Sequence, residues 1–177
     1  MSNARNLANL LGTNTTIQAA KLADDAVTSA KLPTGSVLQV KTGVYSTEKN
    51  CSTAGSYEDT GLSLSITPTS TSSKILIVYA MHFRINSTDG DVGMGFRVVR
   101  GSTAIDTPVT SYDNYSYDGG ARTDSRTSDT KFYLDSPATT SAVTYKIQMI
   151  TYNESGANTR AQSDDNKSRI MLMEIAA

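Results

Sequence analysis

Between Lys74 and Asn86 the chain alternates with a period of two, and for half of that length both of its faces are apolar. Ile75, Ile77, Tyr79, Met81, Phe83 and Ile85 define one face; Leu76, Val78 and Ala80 open the other before His82 and Arg84 turn it polar. A repeat of two is the geometry of a strand, whose successive side chains leave on opposite sides. A strand apolar on both sides needs cover on both, because water on either would meet a contiguous greasy patch. The segment from Ser168 to Ala176 repeats the pattern, with Ile170 and Leu172 on one side and Met171, Met173 and Ile175 on the other.

Seven strands are expected in all, at about 35–44, 59–67, 74–86, 92–100, 130–136, 142–152 and 168–176, separated by turn-rich connections. The second has the simplest pattern: Leu62, Leu64 and Ile66 alternate with Ser63, Ser65 and Thr67, and Pro68 ends it. Ser and Thr fill 46 of the 177 positions, while charged residues make up only 19%. Hydroxyls therefore supply solubility in place of charge, and the branched Thr side chain favours extended backbone. The expected fold class is all-β, an antiparallel β-sandwich over residues 35–177. In a two-sheet sandwich the inner faces make the core, so doubly apolar strands imply a further buried surface. A subunit interface around a symmetry axis is the simplest form of it, with a homotrimer placed first and Leu76, Val78, Met171, Met173 and Ile175 as interface candidates. Loops covering these strands within one molecule are the other reading.

Residues 1–34 differ from the body. They contain no aromatic residue and are rich in Ala, Leu and Asn. Leu7, Leu10 and Leu11 fall on one helical stripe beside Arg5, and Ile17, Ala20, Ala23 or Asp24, Val27 and Ala30 follow a three-four spacing. Such a seam is too thin to offset its own ordering entropy, so the arm is expected to gain order only against sister chains or a docking surface, or else to remain a disordered tail.

Several functions are disfavoured by what the chain lacks. Its 16 Lys and Arg against 17 Asp and Glu give a net charge of -1, without the positive field of a nucleic-acid binder. One His and one Cys are too few for the common metal sites and leave Cys51 without an intrachain disulfide partner. No apolar stretch has the length of a membrane span, and the N-terminus carries no signal-peptide pattern, so a soluble protein that is not exported by that route and does not insert in a membrane is expected. No cofactor motif occurs: neither a phosphate-binding Gly-rich loop nor a Gly-x-Ser-x-Gly elbow is present. His82 is expected to pack or to hydrogen-bond at an interface. Glu174, set among apolar neighbours, is expected to need a cation, with Arg97 and Arg100 as partners. Asp89-Gly-Asp91 and Asp164-Asp-Asn166 offer oxygen ligands but lack the twelve-residue calcium-loop pattern, so solvated turn carboxylates are expected there.

The long connection from Asp106 to Asp129 has the composition of a recognition loop. Tyr112, Tyr115 and Tyr117 stand among Ser, Asp, Asn and Gly, with Asp118 beside them and Arg122 and Arg126 following. Tyr brings a wide amphipathic face at low rotamer cost, and the small polar residues bring adaptable hydrogen bonds. Alternatively these rings anchor the loop to the sandwich. A second polar connection, 153–167, contributes Arg160. Paired carboxylates such as Asp113 and Asp118 are the least unfavourable route to a glycan-cleaving enzyme, but nothing in the sequence sets their separation.

Several stretches resemble one family. Tyr133-Leu-Asp-Ser-Pro-Ala-Thr-Thr-Ser-Ala-Val-Thr-Tyr-Lys-Ile-Gln148, the ending Ser168-Arg-Ile-Met-Leu-Met-Glu-Ile-Ala176, the run from Thr60 to Pro68 leading into Ser73-Lys-Ile-Leu-Ile77, and Arg100-Gly-Ser-Thr-Ala-Ile105 are similar to the C-terminal β-domain of bacteriophage tail-fibre and related virion-fibre proteins, especially of marine phages. In the arm, the stretches Ala4–Leu11 and Leu22–Leu32 resemble the attachment and linker segments before fibre tips. The resemblance implies a non-enzymatic structural protein of the virion: a trimeric, jelly-roll-like tip, an arm with Arg5, Leu7, Leu10 and Leu11 docking on other virion proteins, and distal loops meeting a host surface polysaccharide or outer-membrane protein. Tyr112, Tyr115, Tyr117, Asp118, Arg122 and Arg160 are the receptor-contact candidates. A capsid-decorating or head-fibre protein is the alternative placement.

Overall fold

The computed structural model describes residues 32–51, 53–88, 92–107, 112–117, 122–152 and 158–177, and Pro33–Ala177 forms one compact unit. The expected helical or extended segments of the arm, with Arg5, Leu7, Leu10 and Leu11, lie outside the described residues, as does Asp118.

The described residues form eleven strands and no helix: β1 (Val37–Tyr45), β2 (Lys49–Cys51), β3 (Glu58–Ile66), β4 (Lys74–Ser87), β5 (Val92–Arg100), β6 (Thr103–Asp106), β7 (Asn114–Ser116), β8 (Thr123–Asp135), β9 (Val143–Tyr152), β10 (Asn158–Ala161) and β11 (Ser168–Ile175). Eight of them carry the architecture. β1 pairs with β11, β3 with β9, β4 with β8 and β5 with β6, all antiparallel. This is the pairing of one long ribbon folded back on itself, first strand with last and so inwards. Rolling the ribbon joins β11 to β4 and β9 to β5, so one sheet reads β1-β11-β4-β8 and the other β3-β9-β5-β6. That order is a jelly roll, as the sequence leads one to expect. The remaining strands are short additions: β10 takes over the edge of β4 where β11 leaves it, β2 pairs with β10, and β7 pairs with β5.

The core lies between the sheets. Ile75, Ile77, Tyr79, Met81, Phe83 and Ile85 of β4 point inward and are at most 3% exposed, facing Met94, Phe96 and Val98 of β5 and Tyr145, Ile147 and Met149 of β9. Phe83 and Phe96 meet edge to face across the gap, with ring centroids 5.1 Å apart. Each large side chain removed from water in this way contributes about 1.5–3 kcal/mol.

The topology gives the molecule two unlike ends. The turns 67–73, 101–102 and 136–142 are tight, and they lie beside the beginning of β1 and the end of β11, where Gly35 N donates to Ala176 O and Ala176 N to Ser36 O. The ends of β1, β4, β6 and β9 and the starts of β3, β5, β8 and β11 lie at the opposite end, together with β2, β7 and β10.

One strand departs from expectation in length. β8 begins at Thr123 rather than near residue 130, because its polar first half pairs along the whole of β4, from Ser87↔Thr123 to Ile75↔Asp135. Much of the expected 106–129 connection is therefore sheet. In its second half Phe132 and Leu134 face outward, 78% and 50% exposed, whereas Lys131, Tyr133 and Asp135 lie on the side of the core, with Tyr133 packed against it.

Candidate functional site

The long-loop end carries two groups of side chains on opposite faces of the sandwich. The first is aromatic. β7 sets Tyr115 opposite Gly93, and β9 sets Tyr152 opposite the same glycine from its other side. Tyr112 closes the group: its ring centroid stands 4.8 Å from that of Tyr115, at 28° between planes, and 5.1 Å from that of Tyr152. Gly93 is required here, because a Cβ on it would stand 2.8 Å from Tyr112 Cβ and Cγ. Tyr115 and Tyr152 remain 44% and 42% exposed, and Tyr117 beyond them 72%. The structure thus brings together Tyr112 and Tyr115 with a residue the sequence reading missed, Tyr152. Only the pairing register reveals it, since Tyr152 sits at the end of an otherwise ordinary core strand.

Asp113, between the tyrosines and β5, is structural. It accepts the Phe96 N–H at 2.9 Å on the edge of β5 away from β9, between the stretches paired with β7 and with β6, and it pairs with Lys131. Farther along the same face Arg97 donates to Gln148 Oε1 at 2.8 Å and lies 3.7 Å over the Tyr57 ring, while Asp59 accepts from Lys146 and Gln148.

The second group is ionic and lies on the outer side of the other sheet. In register across β10, β4 and β8 stand Arg160, Arg84 and Arg126. Like charges in neighbouring strands repel, and carboxylates separate these. Asp124 takes two bonds of 2.7 Å from Arg84 and lies near Arg122 and Arg126, Asp164 takes Arg126 Nε at 2.7 Å, and Glu48 takes Arg160 at 3.1 Å. The hydrogen bonds of Arg84 hold the Asp124 carboxyl at about 2. Arg122 and Arg160 therefore belong to this face and not to the tyrosine group, although the sequence reading placed all of them in one contact set. His82, half-buried beside this group, has its pKa lowered mainly by desolvation, with Arg126 adding to that and Asp164 opposing it.

The outer face of the β1-β11-β4-β8 sheet changes character towards the short-turn end. The register builds the cross-strand rows Val40–Met173–Leu76–Leu134, Thr42–Met171–Val78–Phe132 and Val44–Arg169–Ala80–Thr130. Leu76, Val78, Met171, Met173 and Ile175, the candidates named from the sequence, all lie on this one face and are half-buried, while Val37, Val40, Val44, Phe132 and Leu134 on it are at least 50% exposed. Four strands at about 4.8 Å spacing, over eight residues at about 3.3 Å each, give this face a footprint of about 500 Å², Thr42, Arg169 and Thr130 included, within the range of the largest patch on a monomer, which is often functional.

Glu174 overturns one expectation. It is fully buried, yet its partners are neutral: Gln39 Nε2 at 2.6 Å, Thr69 N at 2.6 Å and Thr69 Oγ1 at 2.7 Å. Three hydrogen-bond donors satisfy a carboxylate without bringing a second charge out of water. Arg100 instead binds Asp135 at 2.9 Å, and Arg97 is taken by Gln148 and Tyr57. Asp164 and Asp165 occupy the left-handed region that turn carboxylates tolerate, and Asp89-Gly-Asp91 lies outside the described residues.

No family model and no curated protein matches this chain. Solved structures do match. The structure of the infectious bursal disease virus Gt strain is similar at 13% identity and a TM-score of 0.36, covering 78% of this chain and 38% of that one. The VP2 subviral particle of infectious bursal disease virus is similar at 10% identity and a TM-score of 0.32, with 80% and 39% covered. The T13 viral particle of that virus gives 12% identity and a TM-score of 0.27, with 77% and 36% covered. This chain therefore spans less than two fifths of the length of the chains it matches.

Proposed function

We propose that this chain is a structural protein of a bacteriophage particle: the tip of a tail fibre, assembled as a homotrimer, that attaches to the host surface through its long-loop end. The observation that carries this reading is the polarity of the jelly roll. Every long connection emerges at one end with Tyr115, Tyr117 and Tyr152 exposed, while both termini of the compact unit lie at the other. A fibre tip needs that arrangement, with its attachment behind and its contacts in front. The apolar outer face of β1-β11-β4-β8 supports self-association, since Val37, Val40, Val44, Phe132 and Leu134 are all at least half exposed on it.

On this reading residues 1–34 dock on other virion proteins, and the loop end meets a surface polysaccharide or an outer-membrane protein. Binding, not bond cleavage, is its role, because Asp113 is already committed to the Phe96 amide and Lys131. Three copies per fibre and several fibres per particle convert weak single contacts into durable attachment.

The test is competition. Purified protein should block adsorption of the phage to its host, and gold-labelled antibody against it should decorate the tail. Label on the shell with none on the tail would overturn the fibre placement in favour of a capsid-decorating role. A stable monomer at micromolar concentration in analytical ultracentrifugation would overturn the trimer.

A further inference from the structure

Phe132 is 78% exposed on a strand whose pairing is complete along β4. Exposing a phenyl ring in the middle of an ordered strand forgoes about 1.5–3 kcal/mol of burial, so such a ring in a folded protein calls for a partner surface. On the same face, across the sheet, lies an apolar depression of about 400 Å³ lined by Thr42, Val44, Val78, Ala80, Arg169 and Met171. It lies where two neighbouring rows each contribute a small side chain, Thr42 in one and Ala80 in the next, among the larger Val44, Val78 and Met171. Phe132 stands directly across from Val78, one of the lining residues, yet its ring remains 78% exposed and does not line the hole in its own molecule. β1, on the far side of the hole, is about 14 Å from β8 across β4 and β11.

We propose that the Phe132 ring of one copy of this chain seats in the Thr42/Val44/Val78/Ala80/Met171 depression of the next copy. The inference rests on the homotrimer reading and gives it a defined contact. The occupant is a second copy because knob and hole both belong to this chain, so every copy offers one of each. Two different patches meet, the edge strand β8 of one copy against the β1-β11-β4 surface of its neighbour. A contact between unlike patches propagates head to tail and closes into a ring when its rotation fits. Phe132 at the edge strand and the hole well inside the sheet suit a ring of three, each copy giving one knob and receiving one.

A cysteine pair tests the contact. In the double variant Phe132→Cys, Val44→Cys the two thiols of one molecule are too far apart to bridge, since a disulfide needs Cα atoms within about 7 Å. Cys51 is buried and does not compete. Under a mild oxidant the variant should form covalent species that end at three chains on a non-reducing denaturing gel, and each single-cysteine variant should not. The companion variant Phe132→Ala should weaken assembly at least about 30-fold in sedimentation, in line with the loss of a central aromatic anchor, with an unchanged β-sheet circular dichroism spectrum. Native trimers that fail to crosslink in the double variant would overturn this contact and leave the trimer reading intact. Covalent species that stop at two chains would overturn the threefold closure, and a wild-type monomer would overturn both.

Discussion

The Tyr145 hydroxyl, on a fully buried ring of β9, donates to Asp135 Oδ2 of β8 at 2.7 Å and so ties the two sheets together at the short-turn end. Arg100 approaches both oxygens of the same carboxylate at 2.9 Å. Burial, first, and then the adjacent carboxylate raise the Tyr145 pKa, so this phenol keeps its proton and acts only as a donor. Asp135→Ala should cost about 2–4 kcal/mol, because it leaves a buried hydroxyl and a guanidinium without their acceptor; Tyr145→Phe, which leaves the ion pair in place, should cost about 1 kcal/mol. Urea denaturation of the two variants gives the difference. Equal losses would mean that the carboxylate contributes nothing beyond the tyrosine bond.

Glu174 predicts the acid limb of stability. Burial would raise its pKa, but the hydrogen bonds from Gln39 and Thr69 outweigh burial and lower it. A folded-state pKa below the unfolded value of about 4.3 means that the carboxylate stabilises the fold fully above that pH, and that the stabilisation is lost as pH falls through the folded value. Unfolding free energy should therefore decline below about pH 4.3, and Glu174→Gln should be less stable at neutral pH with a shallower acid decline. Comparing the two pH profiles cancels the contribution of surface carboxylates such as Asp124 that shift in the same direction. Parallel profiles would remove Glu174 from the account.

Gly61 stands at φ +86, and a Cβ there would lie 2.3 Å from Cε1 and Cζ of Tyr45. β3 carries extra residues against β9 at this point, with Thr60 Oγ1 donating to Ile147 O at 2.7 Å. Gly61→Ala should lower stability by about 2–4 kcal/mol, combining a left-handed backbone with displacement of the Tyr45 ring. Adding Tyr45→Ala should recover the steric part and none of the backbone part. Thermal unfolding of the single and double variants separates the two.

If the exposed tyrosines meet the host, Tyr115→Ala and Tyr152→Ala should each weaken adsorption-blocking by at least about tenfold, in line with loss of an aromatic hot spot, while leaving the unfolding midpoint nearly unchanged. Tyr112→Ala should lose stability as well, since its ring packs on Gly93. Full blocking by both exposed-site variants would move the contact elsewhere on the loop end.

The inner face of β4 is legible from alternation alone, since six apolar residues two apart leave no other way to be buried. β8 is not. Its first half, Thr123–Asp129, alternates hydroxyl with charge on both sides, so no periodic signal separates strand from loop, and the backbone of β4 alone defines it. Its second half does alternate, but a period of two names a face without saying which way it points. The neutral partners of Glu174 were hidden for a related reason: Gln39 and Thr69 are remote in sequence and arrive together only through the β1–β11 register and the turn after β3.

From the chain read by itself came the all-β class, the two-sided greasiness of β4 and β11, and the enrichment of tyrosine in one connection, because these depend on side-chain type and on a repeat that any strand must obey. Folding alone decided that Tyr152 joins Tyr112 and Tyr115, that Arg160, Arg84 and Arg126 line up on the far side from them, and that Phe132 stands out from the same sheet face as an apolar depression. Those are matters of strand register and sheet order, which are set by which backbones pair over the whole ribbon, and no local stretch of sequence carries that information.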